Sequence, residues 1–211
     1  MKAINVIIVD YGVGNLQSVK NAFLHNGSCV ARVSDDPKSL READAIVLPG
    51  VGAFREGIEM LRKKGFVELL NTQVLQKKTP ILAVCLGMQF LMDSSEEGGD
   101  TLGLGWISGR VSRFNLSSDY RIPHMGWNNL DFSQQANMFK GITRDKNFYF
   151  AHSYIVNCME RDQVLATCHY GHQFPAAVRK ENIIGLQFHP EKSHHNGLIV
   201  IDNFIDLARE Y

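Results

Sequence analysis

The sequence predicts an α/β protein: a three-layer sandwich whose largely parallel central sheet is flanked by helices, with a smaller antiparallel or mixed β section in its second half. Two observations carry this. Up to Ser94, short apolar runs alternate with segments whose apolar residues recur at helical spacing, the pattern of right-handed crossovers over a sheet covered on both faces. Beyond Ser94 the apolar segments are short, β-rich and punctuated by turns, with no helical pattern until the chain closes. No composition shift, repeat or low-complexity tract marks a linker, so residues 1–211 are expected to form one domain.

The elements follow in order. Ile4 to Val9 predicts a first buried strand, and Leu16, Val19 and Phe23 mark a helix closed by Gly27, a residue suited to a left-handed cap. Ser28 to Val33 predicts a second strand. Asp36-Pro37 offers an N-cap followed by proline at the first helical position, opening a short helix through Glu42. Ala45 to Leu48 predicts a third strand running into Pro49-Gly50-Val51-Gly52. Phe54, Ile58 and Leu61 mark a helix stopped at Gly65, and Phe66, Leu69, Leu70 and Val74 mark another before Pro80. A fourth strand, Pro80-Ile81-Leu82-Ala83-Val84, delivers Cys85 to a helix beginning Leu86-Gly87-Met88-Gln89. Residues 96–100, Glu-Glu-Gly-Gly-Asp, form a loop. Further strands are expected over Trp106 to Phe114, Tyr120 to Pro123, Phe148 to Ile155, Gln163 to His169, Ala176 to Arg179 and Ile183 to Phe188. Leu198, Ile201, Ile205 and Ala208 then stripe a closing helix.

Composition excludes several function classes. A chain of 211 residues buries roughly 70% of its unfolded surface, enough for a core without disulfides or metal. Lys plus Arg equals Asp plus Glu at 22 each, so no net field draws it to nucleic acid or an anionic membrane. No apolar stretch approaches the ~20 residues that span a bilayer, and the first apolar run is too short for a signal peptide. Cys29, Cys85, Cys158 and Cys168 show no C-x-x-C spacing, which fits a reducing cytoplasm.

Chemistry concentrates at Cys85. A thiol at a strand-to-helix corner is pushed out of the sheet, with backbone amides and the positive end of a helix aimed at it. A free thiol, with pKa ~8.5, needs such help or a base to act as a nucleophile. His189 and Glu191 leave the last strand two residues apart, with Pro190 blocking its continuation; on one side-chain face, one can serve as base and the other orient it. Gly87 lets the helix approach the sheet closely. The other three cysteines read as core residues. His194-His195 are adjacent and cannot share a helix face, so they read as surface residues at a helix start and not as metal ligands. Residues 10–15, Asp-Tyr-Gly-Val-Gly-Asn, begin like a dinucleotide fingerprint and fail where Gln17 replaces the third glycine. Pro49-Gly50-Val51-Gly52 can turn backbone N–H groups into a site or be an ordinary tight turn.

These segments resemble those of the class I, or triad, glutamine amidotransferases, and more narrowly the glutaminase subunits of imidazole glycerol phosphate synthase in histidine biosynthesis. The resemblance covers essentially the whole chain. It runs through residues 9–16, 48–54, 84–89 and 95–98, then Pro123-His124-Met125-Gly126-Trp127-Asn128, Phe150-Ala151-His152-Ser153-Tyr154 and Gln187-Phe188-His189-Pro190-Glu191-Lys192-Ser193. The family usually has glycine two residues before the cysteine; Ala83 stands here, and a slightly altered corner with retained activity is expected.

The resemblance implies that Cys85 attacks the carboxamide of L-glutamine, that His189 moves the proton and that Glu191 holds the imidazole. It places Gly50, Val51, Gly52 and Leu86 around the oxyanion and Gln89, Ser153 and Tyr154 in the glutamine pocket. It implies no cofactor and no metal. It also implies a heterodimer with a (β/α)8-barrel cyclase partner that receives the ammonia, and puts Asn15, Trp127 and Lys192 near that interface. Low glutaminase activity in isolation is expected, because a misoriented oxyanion strand loses a donor. The alternatives are a second-copy subunit feeding a cyclase-like partner in amidino-sugar synthesis, a non-catalytic binding module, and a cysteine hydrolase of another substrate on the same fold.

Overall fold

The computed structural model of the protein describes residues 3–25, 27–132, 137–143 and 146–211. The first half alternates as expected: β1 (Ile4–Val9), α1 (Leu16–Phe23), β2 (Cys29–Ser34), a 3-10 helix (Pro37–Glu42), β3 (Ala45–Gly50), α2 (Phe54–Lys63), α3 (Phe66–Leu70), β4 (Ile81–Cys85) and α4 (Leu86–Phe90). The second half holds the short β5 (Ser94–Ser95) and β6 (Thr101–Leu102), then β7 (Gly109–Arg113), β8 (His124–Phe132), β9 (Asn147–His152), β10 (Tyr154–Cys158), β11 (Val164–Tyr170), β12 (His172–Lys180) and β13 (Ile183–Leu186), closed by α5 (His194–Ala208).

Among the described residues these strands form a nine-stranded sheet, ordered β2-β1-β3-β4-β13-β12-β11-β8-β9, and a four-stranded sheet, β10-β7-β5-β6. From β2 to β13 neighbours run parallel; from β13 to β9 they run antiparallel. The second half therefore extends the parallel sheet instead of forming a separate layer, and sends only β7 and β10, with the two short strands, into another sheet. β4 lies mid-sheet, between β3 and β13.

The apolar runs of the inner parallel strands have a direct cause. In β1, Val6 and Ile8 pack with α1 and α5, while Ile7 and Val9 pack with α2 and α3; β4 divides likewise, Leu82 and Val84 against Ile81 and Ala83. Both faces are covered, so alternation of polar and apolar residues has no place there. Among the described residues no helix is long and apolar enough to cross a membrane.

Four expectations need correction. Tyr120 to Pro123 is not a strand: Pro123 has no ladder N–H, and the strand starts beyond it, at His124. Phe148 to Ile155 is two strands in different sheets, broken at Ser153. The helix expected through Val74 changes after Leu70 into a π-helical stretch, Asn71–Gln76. α1 ends at Phe23, so Gly27, with φ +70°, serves the turn after the helix and not its last residue.

Candidate active site

Cys85 closes β4 with φ 55° and ψ −109°, a conformation that costs a non-glycine residue roughly 1–3 kcal/mol and projects its side chain out of the sheet. The corner is tight. A Cβ on Gly87 would lie 2.0 Å from the Leu48 carbonyl oxygen, and one on Gly50 would lie 2.5 Å from Tyr11 Oη and 2.9 Å from Leu86 Cβ. Glycine at 50 and 87 thus lets α4 settle against the end of β3, and Gly50 pairs with Cys85 across the ladder. Ala83 is fully buried in β4, and its neighbour across the ladder on β13 is Gly185, which presents no side chain.

His189 is held at both ends of its peptide. Its N–H donates to Tyr149 O at 2.9 Å, and its carbonyl accepts from Ser193 Oγ at 2.6 Å. Ser193 Oγ in turn accepts from the Tyr149 N–H at 3.0 Å. Strand alternation does not place Glu191: Pro190–Lys192 is a 3-10 turn that curls the carboxylate back, so that its Oε1 meets His189 Nδ1 at 2.8 Å with both side chains buried. The other ring nitrogen remains for sulfur, and Cys85 and His189 line the same cleft. Burial pulls the imidazole pKa down; the hydrogen bonds and charge of Cys85 and Glu191 outweigh that and raise it to about 10. The ring therefore keeps its proton at neutral pH, as an imidazolium beside the sulfur.

Both groups open into a cleft of about 280 Å³. Of the residues expected at the site, Val51, Gly52, Cys85, Leu86, Gln89, Ser153, Tyr154, His189 and Lys192 line it. Gly50 and Glu191 sit behind the wall. Trp127 and Asn15 lie elsewhere: Trp127 is half-exposed and stacks on His194 at 4.7 Å, and Asn15 caps α1 by accepting the Ser18 N–H. Gln89 donates to Tyr154 O at 3.1 Å and to Gln187 Oε1 at 3.2 Å, and Gln187 donates to Cys85 Sγ at 3.8 Å.

Glu97, Pro123, Met125, Ala151 and His152 also line the cleft and were not singled out from the sequence. The Glu-Glu-Gly and Ala-His-Ser segments that contain Glu97 and His152 were visible only as part of the resemblance. Glu97 accepts the Phe54 N–H at the start of α2 at 2.8 Å; burial raises its pKa, against the lowering effect of that bond. Among the described residues no group of three or more His, Cys, Asp or Glu side chains is arranged to hold a metal.

A buried sulfur at a strained corner, sharing a cleft with an imidazole that a carboxylate orients, is suited to attack on an acyl carbon. Comparison with known proteins agrees. The profile of class-I glutamine amidotransferases matches residues 7–207. Imidazole glycerol phosphate synthase subunit HisH 2 of Vibrio vulnificus is 45% identical over 97% of this chain and 95% of its own. The protein of the same name from Pseudomonas aeruginosa is 43% identical over 96% of this chain and 100% of its own. Among solved structures, PurLQS from Thermotoga maritima has a TM-score of 0.71 at 18% identity, covering 98% of this chain and 99% of that one, a likeness of fold.

Proposed function

The chain belongs to the class-I glutamine amidotransferase family, and we propose that it is the glutamine-hydrolysing subunit of an imidazole glycerol phosphate synthase. The observation that carries the chemistry is the convergence of Cys85, His189 and Glu191 at one cleft.

His189, whose pKa of about 10 makes the imidazolium its resting form, already holds the Cys85 proton when sulfur attacks the carboxamide carbon of L-glutamine. The carbonyl oxygen becomes an oxyanion, met by the Leu86 N–H and by a backbone N–H near Val51 or Gly52. The imidazolium then protonates the departing nitrogen, ammonia leaves, and a γ-glutamyl thioester remains. With His189 now neutral, water loses its proton to the ring and attacks the thioester; the tetrahedral adduct expels sulfur, the ring keeps the proton, and glutamate is released. Glu191 keeps Nδ1 protonated, which leaves Nε2 for the sulfur. Gln89, Ser153 and Tyr154 form the glutamine pocket. One oxyanion donor is worth ~2.7–4 kcal/mol of barrier, so the isolated chain is expected to turn over slowly if its Val51 peptide faces away.

Ammonia passes to a (β/α)8-barrel cyclase subunit, which forms imidazole glycerol phosphate and aminoimidazole carboxamide ribotide in histidine biosynthesis. Asn15, Trp127 and Lys192 are proposed to lie near that interface, the whole chain to act as one domain in the cytoplasm, and no cofactor to take part. The amidino-sugar alternative is not favoured, since the relatives carry the synthase's name.

The test is glutamate release by the complex with its cyclase partner, wild type against Cys85→Ala. The variant is expected to lose glutamine-dependent cyclisation while ammonia-dependent cyclisation continues. Equal glutaminase rates would remove the mechanism.

A further inference from the structure

Two buried histidines outside the triad, His124 on β8 and His152 at the end of β9, lie side by side in an aromatic box. The His124 ring stacks on Tyr170 at 4.1 Å and on Phe150 at 4.8 Å, and Phe114 packs against His152 at 5.2 Å. Their polar contacts form one directed chain. His152 Nδ1 is 2.9 Å from Tyr154 O, which can only accept, so Nδ1 carries the proton. In a neutral ring Nε2 is then bare, and it faces His124 Nδ1 at 3.1 Å, which must donate. His124 Nε2 is in turn bare and accepts from Asn128 Nδ2 at 3.2 Å. The Asn128 amide cannot turn over without loss, because its Nδ2 also donates to His169 O and its Oδ1 accepts the Asn129 N–H.

A proton added to either ring would set donor against donor inside this chain. Burial acts the same way, depressing His124 to about 4 and His152 to about 3. The last acceptor, the Tyr154 carbonyl, also receives the Gln89 side-chain amide, and from Gln89 the bonds continue through Gln187 to Cys85 Sγ. Tyr154 stands just past Ser153, where the chain leaves one sheet for the other, and the His152–Tyr154 corner is a wall of the cleft. Ladders reach the corner from both sides, His152 paired with His124 and Tyr154 with Arg113, and Ser153 O accepts the Phe114 N–H; the Tyr154 carbonyl is instead held by the side chains of His152 and Gln89.

We propose that His124 and His152 form a neutral, tautomer-locked pair that fixes this corner, which makes His124 a positioning residue for glutamine binding although it does not line the cleft. The kinetic part rests on the glutaminase reading above.

Two substitutions separate hydrogen bonding from packing. His124→Phe keeps the ring and its stacking but removes the donor to His152. His124→Asn gives up the ring but keeps an N–H close to where Nδ1 lies. In the complex with the cyclase partner, His124→Phe is expected to raise KM for glutamine roughly five- to tenfold, the effect of one lost hydrogen bond, with kcat within about twofold. His124→Asn is expected to restore most of the KM. A packing role predicts the reverse order, and Asn performing worse than Phe overturns the inference. Nitrogen-15 NMR of the histidines in the wild-type chain gives a second readout, independent of turnover. Both rings are expected to be protonated at Nδ1 and bare at Nε2 at neutral pH; a proton on Nε2 of either overturns the inference. If the wild-type complex releases no glutamate, the glutaminase reading falls and takes the kinetic claim with it; if it turns over and the variants order the other way, only the inference falls.

Discussion

Replacing Gly87 by alanine probes the corner without touching any reacting group. The new Cβ would lie 2.0 Å from the Leu48 carbonyl oxygen and 3.0 Å from its carbon. A carbon rests against a carbonyl oxygen at about 3.3 Å, so on the order of 1.3 Å must be relieved. The obstacle is backbone in the middle of the sheet, so it cannot rotate away as a side chain would. α4 and β3 must separate. These two elements carry the Leu86 N–H and the strand leading to Val51, the two proposed oxyanion donors. Misplacement by 1 Å costs about 10²-fold in rate, and full loss of one donor 10²–10³-fold. Glutamate release in the complex should therefore fall by on the order of 10²-fold in kcat, with overpacking lowering unfolding stability by about 1–3 kcal/mol in urea titration. Gly27→Ala is the control: nothing lies within 4 Å of its added methyl, but φ is +70°, so it should lose about 1–2 kcal/mol of stability and no kcat. A Gly87→Ala complex with kcat within twofold of wild type would refute the argument that this contact holds the oxyanion site.

Glu191→Gln should leave the fold intact and lower kcat by on the order of 10²–10⁴, because a carboxamide can present its N–H to Nδ1 and turn the imidazole proton toward sulfur; steady-state kinetics of the complex would show it, and an unchanged kcat would deny Glu191 its role. His189 has its folded pKa raised to about 10 from an unfolded value of ~6.5, so its contribution to stability is fully present below ~6.5 and is lost as pH rises through about 10. Denaturation midpoints should drop over that alkaline window and drop less in Cys85→Ala, which removes one source of the shift. His124 and His152 have folded values depressed to about 4 and about 3, so the unfolded chain takes up their protons first. Their contribution is full above ~6.5 and erodes as pH falls from there toward 4, which unfolding titrations across that range would detect and a flat profile would contradict.

The parallel half was legible because burial on both faces leaves a simple mark: Val6–Val9 and Ile81–Cys85 are unbroken apolar runs bounded by turn residues or caps. β8 was not legible, for the opposite reason. Its buried positions His124, Leu130 and Phe132 are separated by exposed Met125 and Trp127 and by Gly126 at φ +116°, so neither an apolar run nor clean alternation shows. The run Phe148 to Ile155 looked like one strand because hydrophobicity records burial and not which sheet provides it; the change of sheet at Ser153 is a tertiary fact. At the site, Cys85 was legible from its corner and Gly87 from the expected close approach. His152 was hidden, since a lone histidine in a strand has no signature until its partner on β8 is beside it.

Nucleophile and base are positioned by the same device used twice. Gly87 on α4 lets that helix lie against the Leu48 carbonyl, and Gly197 on α5 lets that helix lie against the Pro190 carbonyl, where an added Cβ would fall 1.8 Å away. In each case the carbonyl belongs to the segment that carries functional groups, Leu48 to the strand entering the oxyanion turn and Pro190 to the turn between His189 and Glu191. A helix packed at this range fixes backbone atoms directly, without the rotamer freedom of an intervening side chain. The Cys85 corner and the His189–Glu191 turn are thus each located by close helix–backbone contact, which at His189 is reinforced by Ser193 Oγ. The third wall, at His152–Tyr154, has no such glycine contact. There the backbone is held by its ladders to β8 and β7, and the Tyr154 carbonyl by hydrogen bonds from His152 and Gln89.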